Sequence, residues 1–140
     1  MKRVPYGVLV FVLILGLVAV DVLADERNDA AVKAAESWLG LVDAGDAAGS
    51  WNEAAELLKK AVTEKQWEQA LKATRTPLGK LVSRKLTSAD YSTSLPGAPD
   101  GEYVVIQFAT SFENKKSAVE TVTPMKDPDG TWRVSGYFVR

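Results

Sequence analysis

The spacing of apolar residues changes from helical to alternating near residue 80, and this change constrains the fold more than any other feature. Before it, apolar residues recur three and four positions apart in three stretches, which is typical of helices with one buried face. The predicted helices cover about Arg27 to Ala44, Ser50 to Val62, and Thr63 to Arg75. Ser50 and Thr63 each have Glu or Gln three positions later, which is the pattern of a capping box.

After residue 80, alternation and turn-forming residues define four predicted strands, at about residues 80–91, 102–112, 117–125 and 131–139. Their short links suit an antiparallel meander. The three helices can bury their apolar faces only by packing on one side of a curved sheet, so the predicted fold class is α+β in a single domain, residues 25–140. The residues predicted on the covered face of the last strand are Trp132, Val134, Gly136 and Phe138.

Residues 1–24 have the form of a signal peptide. Lys2 and Arg3 precede a thirteen-residue apolar run, Val8–Val20, interrupted only by Gly16. A membrane-spanning helix needs about 20 apolar residues, which favours a removable signal over an uncleaved anchor. We therefore expect cleavage after Ala24 and an exported protein, periplasmic or secreted, that has no membrane contact once it is cleaved.

Two missing residue types narrow the chemistry that is open to the chain. Without histidine it has no Ser-His-Asp or Cys-His arrangement and no histidine-ligated metal, and without cysteine it has no disulfide. Removing residues 1–24 would change the net charge from −1 to −2, and without a basic excess nucleic acid is not an expected partner. We expect no cofactor and no metal, although carboxylate, tyrosine, lysine or arginine chemistry and an oxygen-ligated cation stay open.

One set of residues is spread over nearly the whole predicted domain. It consists of Trp38, Asp43, Ser50-Trp51, Trp67, Arg75-Thr76-Pro77-Leu78-Gly79, Arg84, Leu95-Pro96-Gly97, Asp100-Gly101-Glu102-Tyr103, Phe112, Glu120, Asp129-Gly130-Thr131-Trp132-Arg133 and Gly136-Tyr137-Phe138. Together these residues resemble the bacterial domain of unknown function 4019 family, whose members typically carry an export signal. The resemblance implies a cystatin-like or NTF2-like cone, with a bent sheet wrapped around helices. It implies no catalytic residues.

Two charged residues are predicted to face the covered side of the sheet. Alternation places Arg84 on the face of Val82 and Leu86, and it places Glu120 on the apolar face of the third strand. A buried charge is costly unless it is paired, so Arg84 and Glu120 are expected to meet each other or other polar groups. Three interpretations stay open, namely a structural ion pair, an anion or small-ligand site that uses Arg84, and surface exposure if the strand register differs.

The other candidate binding residues are Arg75, Asp43 and Tyr91. Arg75 lies in the last turn of the third helix, where a cation interacts favourably with unpaired carbonyls and the helix dipole. It could instead pair with Asp43 or Glu120. The four tryptophans have helical or strand spacing, which favours core packing over an aromatic ligand platform.

Two classes of function fit these observations. The favoured one is an exported non-catalytic binding or protein-interaction module of the bacterial cell envelope, with a small ligand or an envelope protein as partner. The alternative is a proton-transfer enzyme of ketosteroid-isomerase style, with Glu120 or Asp43 as base and Tyr91 or Tyr103 as donor. A homodimer is a further expectation, through an outer sheet face that carries Tyr103, Val105, Ala109, Tyr137 and Val139.

Overall fold

The computed structural model describes the backbone of residues 11–140 and the side chains from residue 23 onward. Within this part, four α-helices come first, and their bounds are α1 (Phe11–Asp43), α2 (Ala47–Asn52), α3 (Glu56–Ala61) and α4 (Glu64–Arg75). A 3-10 turn (Thr76–Leu78) leads into four strands, β1 (Leu81–Ser92), β2 (Tyr103–Phe112), β3 (Lys115–Lys126) and β4 (Trp132–Val139). Helices followed by an antiparallel sheet make this an α+β fold, as predicted.

Helix α1 is longer than the first predicted helix, because its described backbone extends back to Phe11. Of the predicted signal peptide, residues 1–10 lie outside the described residues, and the predicted cleavage position after Ala24 falls inside α1. Among the described residues, no helix combines the length and the apolar character that crossing a membrane requires.

The prediction of one helix from Ser50 to Val62 is wrong. Asp46 caps α2 by accepting a hydrogen bond from the Gly49 amide at 2.9 Å, so Ser50 lies inside that helix rather than at its start. The chain then leaves the helical path at Ala55, whose amide donates to the Val134 carbonyl of β4 at 2.8 Å. This long-range hydrogen bond interrupts the helix and separates α2 from α3.

Helix α4 agrees with its sequence pattern. Thr63 accepts a hydrogen bond from the Gln66 amide at 3.2 Å, and the Gln66 side chain accepts one from the Thr63 amide at 2.9 Å. This is the predicted capping box. The helix ends at Arg75, where Pro77 cannot continue it, and Gly79 turns the chain into β1 with a positive φ of 75°.

The strands form an antiparallel meander in the order β1-β2-β3-β4, and α1 packs across all four of them. Alternate residues of β2 point towards the helices, and the core forms between them and the buried face of α1. Its buried members include Ala35, Trp38, Leu39, Leu71, Val104, Ile106, Phe108, Val122 and Val134. The covered face of the sheet therefore lies against the longest helix.

A register shift in β4 overturns the predicted covered face of that strand. Val134 pairs with Pro124 and Gly136 with Thr123, so Ser135 is an extra residue in β4. Beyond it the alternation is inverted. Phe138 is 52% exposed on the outer face, whereas Tyr137 points to the core side.

Two further predictions, about the strand face of Val82 and the exposure of Tyr103, are also wrong. Val82 falls at a register shift between Leu81 and Ser83 and is 65% exposed, so it does not share the covered face with Arg84. Tyr103 lies on the outer face but is only 1% exposed, and its hydroxyl donates to the Pro99 carbonyl of the β1–β2 loop at 2.6 Å. Tyr103 is therefore not available for the outer-face dimer surface.

Candidate functional site

A group of polar side chains connects the helices to every strand of the sheet, and we name it the Arg84 network. Asp43 ends α1 and Arg75 ends α4, while each strand contributes one residue to the group. Its six members are Asp43, Arg75, Arg84, Thr110, Glu120 and Tyr137. Two arginines face two carboxylates in it, so the formal charges cancel.

Arg84 and Glu120 form the centre of the network. Arg84 Nε donates to Glu120 Oε1 at 2.7 Å and its second terminal nitrogen donates to Oε2 at 3.1 Å. Glu120 is fully buried and the Arg84 side chain is 13% exposed. Such a two-point contact between guanidinium and carboxylate is among the stronger polar contacts in proteins. The predicted contact between the two residues is therefore present.

Asp43 extends the network to both helix ends. Arg84 holds Asp43 with two hydrogen bonds, at 2.8 and 3.0 Å, and Arg75 donates a third to Asp43 Oδ1 at 2.9 Å. The Arg75 guanidinium carbon also lies 4.8 Å from the centroid of the Phe112 ring, which is a cation–π distance. Arg75 therefore joins the end of α4 to the end of α1 and to β2.

Both oxygens of Glu120 are fully engaged. Besides the two Arg84 bonds, the Thr110 hydroxyl donates to Oε1 at 2.7 Å and the Tyr137 hydroxyl donates to Oε2 at 2.5 Å. Each carboxylate oxygen thus accepts two hydrogen bonds, and this satisfies the carboxylate inside the core.

The pKa shifts in the network follow from burial and pairing. Burial opposes ionisation of Asp43, but the hydrogen bonds and charges of Arg84 and Arg75 outweigh it and lower the pKa of Asp43. Burial likewise disfavours charged Arg84, yet its bonds to Asp43 and Glu120 raise the pKa of Arg84. Burial and then the Glu120 carboxylate raise the pKa of Tyr137 well above its usual range. At neutral pH the network therefore holds charged Asp43 and Arg84 and a protonated Tyr137.

Four of the five predicted site residues come together in this network, and Tyr91 does not. The Arg27 guanidinium carbon lies 3.4 Å from the centroid of the Tyr91 ring, and the Tyr91 hydroxyl donates to Glu102 at 3.1 Å. Tyr91 faces Val104 across the sheet, whereas Glu120 faces Phe108. Four residues along β2 separate these two positions by about 13 Å.

Sequence reasoning missed Thr110 and Tyr137. Alternation along β2 puts Thr110 on the face of Phe108 and Phe112, so its position could have been inferred from the pattern. Tyr137 was assigned to the outer face, because nothing in the local pattern signals the extra residue Ser135. Val139 pairs with Glu120 and also leaves the predicted dimer surface.

Next to the network lies a cluster of aromatic side chains. Trp38 packs edge-on against Tyr137 with ring centroids 5.4 Å apart, and against Trp67 at 5.8 Å. Ser50 holds both indoles, since its carbonyl accepts from Trp38 Nε1 at 2.8 Å and its hydroxyl accepts from Trp67 Nε1 at 2.9 Å. Trp51 likewise donates to the Val62 carbonyl at 3.0 Å. These three tryptophans are structural residues.

The fold and the network together define an α+β domain in which Asp43, Arg84 and Glu120 join a helix to the sheet. Among the described residues, no group of carboxylates has the arrangement needed to hold a metal ion. The model of the family described as protein of unknown function, DUF4019, matches residues 34–137, and the chain belongs to that family. No curated protein and no solved structure matches the chain.

Proposed function

We propose that the protein is a non-catalytic binding or protein-interaction module of the cell envelope that works after export, in the periplasm or as a secreted protein. One observation carries the non-catalytic part, namely that every oxygen of Asp43 and Glu120 is occupied by hydrogen bonds from within the Arg84 network. A carboxylate bound by arginine is a poor base. The groups that could have carried out chemistry act on the scaffold instead.

The alternative of a ketosteroid-isomerase-like proton-transfer enzyme is less well supported. It needs a free carboxylate beside a hydroxyl donor. Tyr91 lies about 13 Å along the sheet from Glu120, and Tyr103 donates to a loop carbonyl on the opposite face. The one tyrosine that does touch Glu120 is Tyr137, and it already donates its hydroxyl to that carboxylate. Base and donor are therefore bound to each other.

The proposal of export rests on the N-terminal sequence, where a basic start is followed by a short apolar run and by polar residues from Asp25 onward. Expression of the full chain in an exporting bacterial host tests it directly. We expect the purified protein to have the mass of residues 25–140. An intact N-terminus on protein that stays in the cytoplasm would contradict export.

Native mass spectrometry of the same preparation tests the binding role, because it reads bound mass and oligomeric state together. We expect a co-purifying small molecule, a bound envelope protein or a homodimer. A dimer would use the part of the outer face that stays exposed, which includes Ala109 and Phe138. A bare monomer in every exporting host tested would count against the proposal.

An activity assay separates binding from catalysis. We expect the chain not to isomerise a β,γ-unsaturated ketone above the buffer rate. Isomerisation that is lost in Glu120→Gln, with the protein still folded, would replace the binding proposal by the enzymatic one. Glu64→Gln is the matched control, because it makes the same change at an exposed position outside the network.

A further inference from the structure

A groove lies between α1, the junction of α2 and α3, and the β3–β4 hairpin, and we name it the hairpin groove. It has two adjoining compartments of about 440 Å³ each, and both are lined by Glu53 and Arg133. Sites for small molecules typically enclose roughly 300–1,000 Å³, so the groove has the size of a small-molecule site. It is separate from the Arg84 network and shares no residue with it.

The first compartment is mainly apolar. Leu41 and Ala34 of α1 form one wall, and Trp132 and Val134 of β4 form the other, with Trp38 beneath them. Trp132 is the one tryptophan whose indole nitrogen makes no hydrogen bond among the described residues. Its ring is only partly buried, which leaves an aromatic surface for an apolar ligand group.

The second compartment is acidic. Four carboxylates and two cations line it, and the cations are already paired, Lys59 with Glu56 at 3.5 Å and Arg133 with Asp127 at 3.1 Å. Arg133 also pairs with Asp129 at 2.8 Å. Glu53 has no ion-pair partner among the residues whose side chains are described. Four carboxylates against two cations leave the compartment with excess negative charge, and Glu53 and Arg133 both lie at the end that adjoins the apolar one.

Asp127 adds a second, independent observation. Its side chain is only 3% exposed, and one oxygen accepts from Arg133. The other oxygen, Oδ1, is buried and accepts no hydrogen bond among the described residues. A buried carboxylate oxygen without a donor is costly, so Asp127, which lines the acidic compartment, keeps one acceptor that Arg133 does not satisfy.

From this geometry we propose that the hairpin groove binds a small organic cation, an amine or guanidinium joined to an apolar or aromatic body. The cationic group lies at Glu53, within the field of Asp127, and the body lies against Trp132 and Leu41. A metal ion is not the ligand of choice, because the carboxylates of the described residues do not converge on one point. The proposal rests on the proposed function, since it names the ligand class of a binding module.

Titration of the ¹⁵N-labelled full chain, in the form in which it is purified, tests this inference through the indole Nε1–H signal of Trp132. The probe is phenethylamine, which joins an ammonium to an aromatic body. We expect a saturable shift of the Trp132 signal. Ethylamine, which lacks the body, and phenylacetate, which reverses the charge, should each bind about tenfold more weakly.

The variant Glu53→Gln keeps the shape of the side chain and removes its charge. We expect it to bind phenethylamine about three- to tenfold more weakly. Glu64→Gln, an exposed change on α4 outside the groove, should bind as the parent does. Equal binding of phenylacetate, no effect of Glu53→Gln, or no shift of Trp132 would overturn the inference. If native spectra show a bound molecule but the Trp132 signal does not shift, this site is ruled out while the proposed binding role stands.

Discussion

Arg84 and Glu120 meet across β2, with Arg84 on one neighbouring strand and Glu120 on the other, and Thr110 lies on the strand between them. Their two hydrogen bonds, at 2.7 and 3.1 Å, join the edge strand β1 to β3 through side chains alone. Because Asp43 holds the far side of the same guanidinium, α1 is fixed to that junction as well. One arginine therefore aligns three elements that are distant in sequence.

Replacing Arg84 by Met should destabilise the fold by about 3–5 kcal/mol, because Glu120 would be left buried without a cation. Glu120→Gln should cost less, since Arg84 keeps its two bonds to Asp43. The double variant Arg84→Met with Glu120→Leu should recover part of the loss, and urea unfolding measures all three. If the single arginine variant does not fold, Arg84→Lys replaces it. A double variant no more stable than Arg84→Met would contradict this account.

The hydroxyl of Tyr137 should contribute more to stability than that of Tyr91. Tyr137→Phe removes a hydrogen bond to a buried carboxylate and should cost roughly 1.5–3 kcal/mol of unfolding free energy. Tyr91→Phe is the control, because its bond to Glu102 is longer, at 3.1 Å, and its acceptor is not the buried Glu120. Equal losses in the two variants would show that the network gives Tyr137 no special role.

The same tyrosine predicts a response to alkali. The folded pKa of Tyr137 is raised, so its stabilisation is fully present below the unfolded value of about 10 and is lost as pH rises towards the folded pKa. Stability measured above pH 10 should therefore fall more steeply for the parent than for Tyr137→Phe. Parallel curves for the two proteins would refute the assignment.

Asp43 predicts a response to acid. Its folded pKa is lowered, so its contribution is present above about pH 4, the unfolded value, and is lost as pH falls through the folded pKa. Asp43→Asn should be less stable than the parent at pH 7, by roughly 1–3 kcal/mol, and should lose less on acidification. Chemical unfolding between pH 5 and pH 2 tests this, with the exposed variant Asp90→Asn as control. An unchanged acid slope would contradict it.

The stability of the fold should depend on the Ser50 hydroxyl. This hydroxyl accepts from Trp67 Nε1 at 2.9 Å and donates to the Ala47 carbonyl at 2.9 Å, in a fully buried position. Ser50→Ala would leave the buried indole donor without its partner and should cost roughly 1–3 kcal/mol. Ser117→Ala, an exposed change on β3, should be neutral in the same thermal and urea assays. A neutral Ser50→Ala would mean that water replaces the hydroxyl.

The local sequence pattern was sufficient to predict the four strands and helix α4. The four strand ranges and the Thr63 capping box depend on alternation, turn residues and contacts three positions apart, all of which are visible along the chain. The meander followed from short links, and the convergence of Arg84 with Glu120 followed from the cost of a lone buried charge. The strands and the cap depend on neighbouring residues alone. For the meander and the ion pair, physical constraints favour one arrangement over the others.

Other features were decided by contacts between distant residues. The break between α2 and α3 depends on the hydrogen bond from Ala55 to Val134, which lie 79 positions apart. The inward position of Tyr137 depends on the extra residue Ser135, and β-strand alternation gives no warning of a bulge. The hairpin groove likewise joins α1 to a hairpin about ninety residues later.

The amino-acid sequence by itself determined the α+β class, the order of the sheet and the exclusion of histidine and cysteine chemistry, because these depend on composition and short-range periodicity. It also determined the family, through a set of residues spread along the chain. Only the tertiary structure decided that Arg84 joins Asp43 to Glu120 and that Arg75 contacts Asp43. Among the described side chains, only the tertiary structure showed that Glu53 has no ion-pair partner and lines the same compartment as Trp132. The physical reason is that pairing depends on side-chain geometry to within a few tenths of an ångström, and a bulge or a long-range hydrogen bond shifts that geometry by whole residues.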